Sequence, residues 1–547
     1  MRYRAEQFHA AEALGAAPLV AFLLVVCLAV LLYLLYGAGD PDETTDVYVA
    51  GRSLRPVHNA LALTGDYISV ITLLSVTGLV ALTAHDGMAM AVSGVAALGV
   101  LLLLAQPLRN VGRFTLGDTW SERFPGTRAR VAGTVATLCF CLPLMVVQLV
   151  VAGAAVSFLL GLSDLGAAAQ LCTALIGGIM ICASSLNGMR GNSMLQTIKT
   201  VVLLLAMAVL AGQVLDKFGW SPNRLIDAAG RGATESVGTD AGGPLHHGGA
   251  SGTLSQLSAQ ITVVLGAGVA PHILMRLKAS DRGESARRTV RYTIGLVTVF
   301  SGLAVLVGLG ATALVGARSI AAADPEGLAA VPLLALQLAA DGSSGGAILA
   351  LTVSMIFLTS LTVVASLTLS SAASLAHDIY APTAGRTRSM TSEIWAMRWS
   401  SGAVGALAVV LAVALQGKSV AFLAYFAVGA AAAAIFPALV LGLFWPGYTR
   451  TGMLWSVYGG LGCCVVLQLF GPAVSGTPAS ILPGADFAWF PLETTGLVSI
   501  PAGFLLGWAA SRASASSATR FGHTQLEKQA LTGSSRSARS GSWNGGP

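Results

Sequence analysis

Asp66 lies inside an apolar, helix-length run, Asn59–Ala81, in a chain built mostly of such runs. Insertion scales put a carboxylate at the centre of a bilayer-spanning helix at a cost of about 2.5–3.5 kcal/mol, so such a residue usually faces a partner or a water-filled cavity and marks a functional site by default. The competing reading is a buried structural hydrogen-bonder. Far along the chain, Thr359, Thr362, Ser366 and Ser370 recur at three and four residues, which places them on one helix face. A hydroxyl stripe serves either to hold helices together or to offer neutral oxygens to a hard cation. Lys199 lies inside a third apolar run. Its long stem is expected to carry the ammonium to the membrane interface, and no arginine is expected at membrane depth.

The elements that must position these groups follow from composition. Of 547 residues, 54% are hydrophobic and 10% charged, with mean hydropathy +0.74. A soluble protein carries about 25% charged residues, so the chain reads as an all-α polytopic membrane protein whose first partner is the lipid bilayer. The net charge of +6 is scattered over short loops rather than gathered in a stripe, which argues against nucleic acid. All seven cysteines sit in apolar runs and read as small buried hydrophobes rather than a disulfide framework. No cofactor or resident metal is expected. His246 and His247 sit in a Gly- and Asp-rich loop and read as loop polarity.

Windows of about 20 apolar residues give about thirteen spans, among them Pro18–Tyr36, Asn59–Ala81, Ala167–Leu186, Met194–Leu215, Leu254–Met275, Ala347–Leu375, Gly402–Leu415 and Thr494–Ala510. One set of alternate loops holds Arg109, Arg113, Arg123, Arg128, Arg130, Arg190, Arg276, Lys278, Arg282, Arg386, Arg388 and Arg450. By the positive-inside rule that set is cytoplasmic, which puts the N-terminus outside and the C-terminus inside. The abundance of Arg over Lys and of Ala and Gly hints at a bacterial source, hence a bacterial inner (plasma) membrane. The expected organisation is an extra helix and loop at 1–56, a core at 57–445, two more helices at 446–510 and a disordered cytoplasmic tail at 511–547.

Three spans carry helix breakers. Leu63-Thr64-Gly65-Asp66-Tyr67-Ile68-Ser69 sets Gly beside an acid in the second. Leu265 to His272 places Gly266, Gly268 and Pro271 in the seventh, and Pro437 falls inside the eleventh. A simple kink would explain each. The first two breaks, however, stand five spans apart, and interruptions at corresponding positions of two halves are the best sequence pointer to a transport site. Spans two to six and seven to eleven therefore read as two inverted repeats of five helices.

At these residues the chain resembles the sodium:solute symporter family, within it the cation/acetate (monocarboxylate) branch. The shared strings run in order from Tyr48-Val49-Ala50-Gly51-Arg52-Ser53 and Gly65-Asp66-Tyr67-Ile68-Ser69, through Gly112-Arg113-Phe114-Thr115-Leu116-Gly117-Asp118, Gly188-Met189-Arg190-Gly191-Asn192, Pro271-His272-Ile273-Leu274-Met275-Arg276 and His377-Asp378-Ile379-Tyr380, to Thr449-Arg450-Thr451-Gly452. They cover roughly Val47 to Gly460. The resemblance implies a leucine-transporter-like fold with a five-plus-five inverted-repeat core. It also implies a sodium site made by the backbone carbonyls of Gly65, Ile68 and Thr359 and the hydroxyl of Thr362. Val363 stands where the family commonly has a second hydroxyl, which leaves proton coupling open. Asp66 is the candidate coupling residue. Thr115 and Asp118 read as a capping pair opening a short helix.

A carboxylate solute at mid-membrane needs positive potential, and half-helix N-termini supply it. Thr72, Ser75, Thr77, Gly266 and Gly268 are the candidate substrate-binding positions. The expected function is a secondary active symporter carrying a monovalent cation, Na+ or H+, with a small monocarboxylate such as acetate, pyruvate or propionate. The alternatives are a same-fold symporter for an amino acid or other small solute, and a passive anion channel. An enzyme is not expected. His-Glu-x-x-His is absent, and Gly342-Ser343-Ser344-Gly345-Gly346 lacks the strand-to-helix setting that a nucleophile elbow requires.

Overall fold

The computed structural model describes residues 44–533 apart from short gaps, the longest at 235–249, together with scattered positions between 20 and 31. The run Pro18–Tyr36, the pair His246 and His247, most of the Gly342–Gly346 string, Arg386, Arg388 and residues 534–547 fall wholly or largely outside the described residues.

The described chain is helical, with no strand beyond isolated bridges. After a short helix α1 (Thr44–Val49), the first half of the bundle holds α2 (Pro56–Tyr67), α3 (Val70–Thr83), α4 (His85–Asn110), the short α5 (Leu116–Arg123), α6 (Thr127–Leu159), α7 (Ala168–Leu186) and α8 (Met189–Lys217). The second half holds α9 (Ala250–Ala267), α10 (Pro271–Leu277), α11 (Gly283–Leu314), α12 (Gly345–Ala373), α13 (Met390–Leu415), α14 (Ala421–Ala430) and α15 (Phe436–Phe444). With α2–α3, α9–α10 and α14–α15 each taken as one span, each half has five, and the first span of each half is the interrupted one. Beyond them lie α16 (Arg450–Leu454), α17 (Gly460–Leu469), α18 (Gly496–Ala513) and α19 (Ala518–Thr532). Among the described residues nine helices are long and apolar enough to cross a membrane, and ten with the bent α2–α3 pair. The expected thirteen also counted α7, α18 and the run at Pro18–Tyr36.

A helix that is apolar all round belongs inside a bundle rather than against lipid or water. α12 is the clearest case, with 89% of its most apolar window buried. It packs on α6, α7, α8 and α13, so its hydroxyls face protein. Two local signals fold as their residues dictate. Thr115 Oγ1 accepts from the Asp118 amide at 3.0 Å while Asp118 reaches back to the Thr115 amide, a reciprocal cap that opens α5. At Pro437 the backbone does not break. A π-helical turn, Ala431–Ile435, directly precedes it, and the helix runs on through Pro437 into α15.

One expectation is corrected. Part of the tail expected to be disordered is the helix α19, which packs on α4, α5 and α15. Asn110 Nδ2 donates to Ala530 O at 2.9 Å and Gln529 Nε2 to Asn110 O at 3.2 Å. Leu526 and Ala530, both buried, supply an apolar face that the Ser- and Gly-rich sequence around them obscures.

Candidate functional site

The first span stops at Tyr67 because Ile68 (ψ 101°) and Ser69 (ψ 170°) are extended. The chain then turns by 65° into α3. Ser69 restarts the helix as its cap: its hydroxyl accepts from the Thr72 amide at 3.1 Å and lies 2.9 Å from Thr72 Oγ1. The Val70 amide, another orphan donor of the new N-terminus, reaches Gln148 Oε1 on α6 at 2.9 Å. The break thus sets free carbonyls at the end of α2 beside the positive end of α3. In the second half, α9 ends at Ala267 and α10 begins at Pro271, so both predicted discontinuities are present.

The Gly65 and Ile68 carbonyls converge on one atom. The Lys199 ammonium, from the fully buried side chain on α8, donates to both. The expectation that Lys199 reaches the interface is therefore corrected. The free carbonyls of the α2 break solvate the ammonium inside the bundle, and the stem has no need to extend outward. α8 approaches this closely because Gly65 has no side chain: a β-carbon there would stand 2.6 Å from Gln196 Oε1 and 2.7 Å from Gln196 O.

Asp66 points the other way, to α10 and α12. Its carboxylate is ion-paired with Arg276 and accepts from the Ser366 hydroxyl. Arg276 Nη1 also donates to Ser193 Oγ on α8 at 2.8 Å. Arg276 is fully buried, which overturns the expectation of no arginine at depth. Read as a loop residue, it instead ends the half-helix after the second break, where the acid needs it. Asn192 Nδ2 and Gln196 Nε2, both on α8, donate to Ser366 Oγ at 2.8 and 2.9 Å. Gln196 Nε2 also donates to Thr362 O at 2.8 Å. α8 is thus the bridge between the broken span and the hydroxyl face of α12.

Thr362 Oγ1 donates to Leu358 O in its own helix at 2.9 Å, and Thr359 Oγ1 is buried without a partner. Thr359 lies one turn before Thr362, whose carbonyl Gln196 holds. On α3, Thr72 and Ser75 are half-buried, and Thr77 is buried with its hydroxyl donating to Leu73 O. Gly266 and Gly268 flank the other break, each pressed against a neighbouring backbone. A β-carbon would meet Val428 O at 2.2 Å at the first and Ala97 O at 2.5 Å at the second. His272, at the start of α10, is buried, stacks on Phe140 with centroids 5.6 Å apart, and leaves Nδ1 without a partner. Sequence reasoning passed over Gln148, Asn192, Gln196, His272 and Arg276. A charged or amide side chain inside or bordering an apolar run was the available signal.

At the end of the bundle that carries α5, a second buried network ties the halves together. His377 Nε2 lies 3.1 Å from Asp118 and Nδ1 2.7 Å from Glu393, while Arg130 contacts Asp118 at 3.0 Å and Asp378 at 3.3 Å. Lys278 Nζ donates to Thr119 Oγ1 at 2.8 Å. Burial alone would push the Asp118 carboxyl up. The hydrogen bond and charge of His377, with the charges of Arg130 and Lys278, outweigh it and hold Asp118 well below the usual carboxylate range.

Comparison with known proteins agrees with this architecture. The chain is 34% identical over 479 residues to a monocarboxylic acid transporter of Corynebacterium glutamicum, covering 85% of this chain and 86% of that one. It is 35% identical over 494 residues to an uncharacterised symporter of Bacillus subtilis, covering 90% and 93%. Among solved structures, its fold is shared with a Na+-coupled sialic acid symporter in a substrate-bound outward-open state (TM-score 0.65, 14% identity, 90% of this chain and 97% of that one). It is also shared with a nucleobase-cation-symport-1 family transporter in a closed conformation (TM-score 0.53, 15% identity, 88% and 98%). A bundle of two five-span halves, each opened by a broken span, is the frame these folds share, and residues 47–460 match the family model directly: the chain belongs to the sodium:solute symporter family.

Proposed function

We propose that this cation-coupled symporter imports a small monocarboxylate, such as acetate, pyruvate or propionate, by alternating access. The observation that carries the reading is the α2–α3 break, which puts a carbonyl cluster suited to a cation directly beside a helix N-terminus suited to an anion. The name of the Corynebacterium relative supports the monocarboxylate. In this reading the cation position is formed by Gly65, Ile68, Thr359 and Thr362, with Asp66 as the coupling residue. Thr72, Ser75, Thr77, Gly266 and Gly268 are the substrate-binding positions. Residues 57–445 form the transport core and 446–510 an accessory pair of helices. The protein would sit in a bacterial plasma membrane with its arginine-rich face, α5 included, toward the cytoplasm.

Solute and cation cross together because each favours the same arrangement of the broken spans. One experiment tests the solute class: uptake of labelled acetate, pyruvate and propionate into proteoliposomes, with labelled amino acids as competitors. Saturable uptake of at least one monocarboxylate, unaffected by amino acids, is expected. Uptake of an amino acid in their place would move the protein to the same-fold alternative.

A further inference from the structure

The cation position is not free for a solvent ion. The two carbonyls that a sodium ion would use at the α2 break both accept from Lys199 Nζ. An ammonium and a sodium ion make the same demand, oxygen lone pairs around one positive charge. Here the ammonium arrives covalently attached, on a side chain that is fully buried. We infer that Lys199 is a built-in cation that takes the place of sodium at the Gly65 and Ile68 carbonyls, and so is a residue that sets the ion selectivity of the site.

This rests on the reading of those carbonyls as the cation position. Two further observations support it. α12 offers no second hydroxyl directly after Thr362, because the next residue is Val363. No negative charge is left over at the site either. Asp66, the acid beside Gly65, is neutralised by Arg276, so no spare negative charge would offset a sodium ion beside the ammonium, and like charges at contact distance in a buried site repel strongly.

The charged and titratable groups on the elements packed against α8 are few. α2 carries His58, Asp66 and Tyr67, the last donating to Gly94 O. α10 carries His272, beside the Asp66 backbone, and Arg276. α11 has its charged residues and Tyr292 only within Gly283–Tyr292, α1 has Asp46 and Tyr48, and α12 has none. Lys199 is thus the cation aimed at the carbonyls.

The test compares the full-length purified wild type with Lys199→Ala. Melting is followed in increasing sodium chloride against choline chloride, alongside pyruvate uptake in proteoliposomes with sodium replaced by choline. The wild type is expected to show no saturable sodium-dependent stabilisation and no loss of uptake in choline, with a proton gradient then supplying the drive. Lys199→Ala, with the carbonyls vacated, is expected to gain saturable stabilisation by sodium. If Lys199→Ala does not fold, the wild-type melting series decides alone. Saturable sodium stabilisation of the wild type, with intact monocarboxylate uptake, overturns the Lys199 assignment and leaves the symport reading standing. A wild type that takes up no monocarboxylate under any gradient overturns the symport reading and this inference with it.

Discussion

Asp66 and Arg276 cancel each other's charge inside the bundle, and the cost of separating them defines the residue scale. Removing one member of a buried pair leaves an uncompensated charge, worth about 3–5 kcal/mol. Asp66→Asn is therefore expected to lower the melting temperature sharply. Asp66→Asn combined with Arg276→Met should recover part of the loss, because no lone charge remains. A double variant no more stable than the single one would mean that Arg276 is satisfied by Ser193 alone. The importance of Asp66 was readable from its place in an apolar run, because a carboxylate there must have a reason. Its partner was not. Arg276 follows an apolar run at a position that serves equally well as a loop end, and only the packing of the short α10 within the bundle buries it. Lys199 was misjudged for a related reason. A long stem permits both snorkelling and burial, and the choice depends on which carbonyls lie opposite, which a lone helix cannot reveal.

At the scale of elements, the breaks and caps were legible and the docking partners were not. Gly65 with Ser69, and Gly268 with Pro271, mark the interruptions because glycine loosens and proline forbids helical continuation. The Thr115–Asp118 cap was visible from its spacing alone. What α5 does with that cap emerges only in three dimensions, where Asp118 also holds His377 from the π-helical turn after α12. Because the Asp118 pKa is depressed on folding, its stabilising contribution is full above the ordinary carboxylate value and is lost as pH falls through the depressed one. Asp118→Asn should thus destabilise the protein at neutral pH by about 1.5–3 kcal/mol, the worth of hydrogen bonds to a charged group. Its melting curve should converge on that of the wild type in acid. A constant gap between the two across the pH series would place the effect in packing rather than charge. The α19 helix was hidden for a different reason. Its apolar face is short, and the flanking Ser- and Gly-rich sequence dominates any composition window.

The whole molecule was the most legible level, because a bilayer permits so few solutions. Backbone groups in lipid must be satisfied within helices, so the apolar runs gave the spans, and the matching interruptions gave the five-plus-five arrangement that the fold shares with the sialic acid symporter. What the sequence did not display was the role of α8. That helix holds the broken first span through Lys199 and reaches α12 of the second half through Asn192 and Gln196. The central claim is that a cation gradient, of sodium or of protons, drives the solute across through the broken spans. Accumulation of labelled pyruvate in proteoliposomes, followed with an imposed cation gradient and again after an ionophore collapses it, tests this most directly. The account predicts an internal concentration that rises above the external one while the gradient lasts and falls back when it is dissipated. Equilibration to the external concentration, identical with and without the gradient, would make the protein a passive pathway and contradict the account.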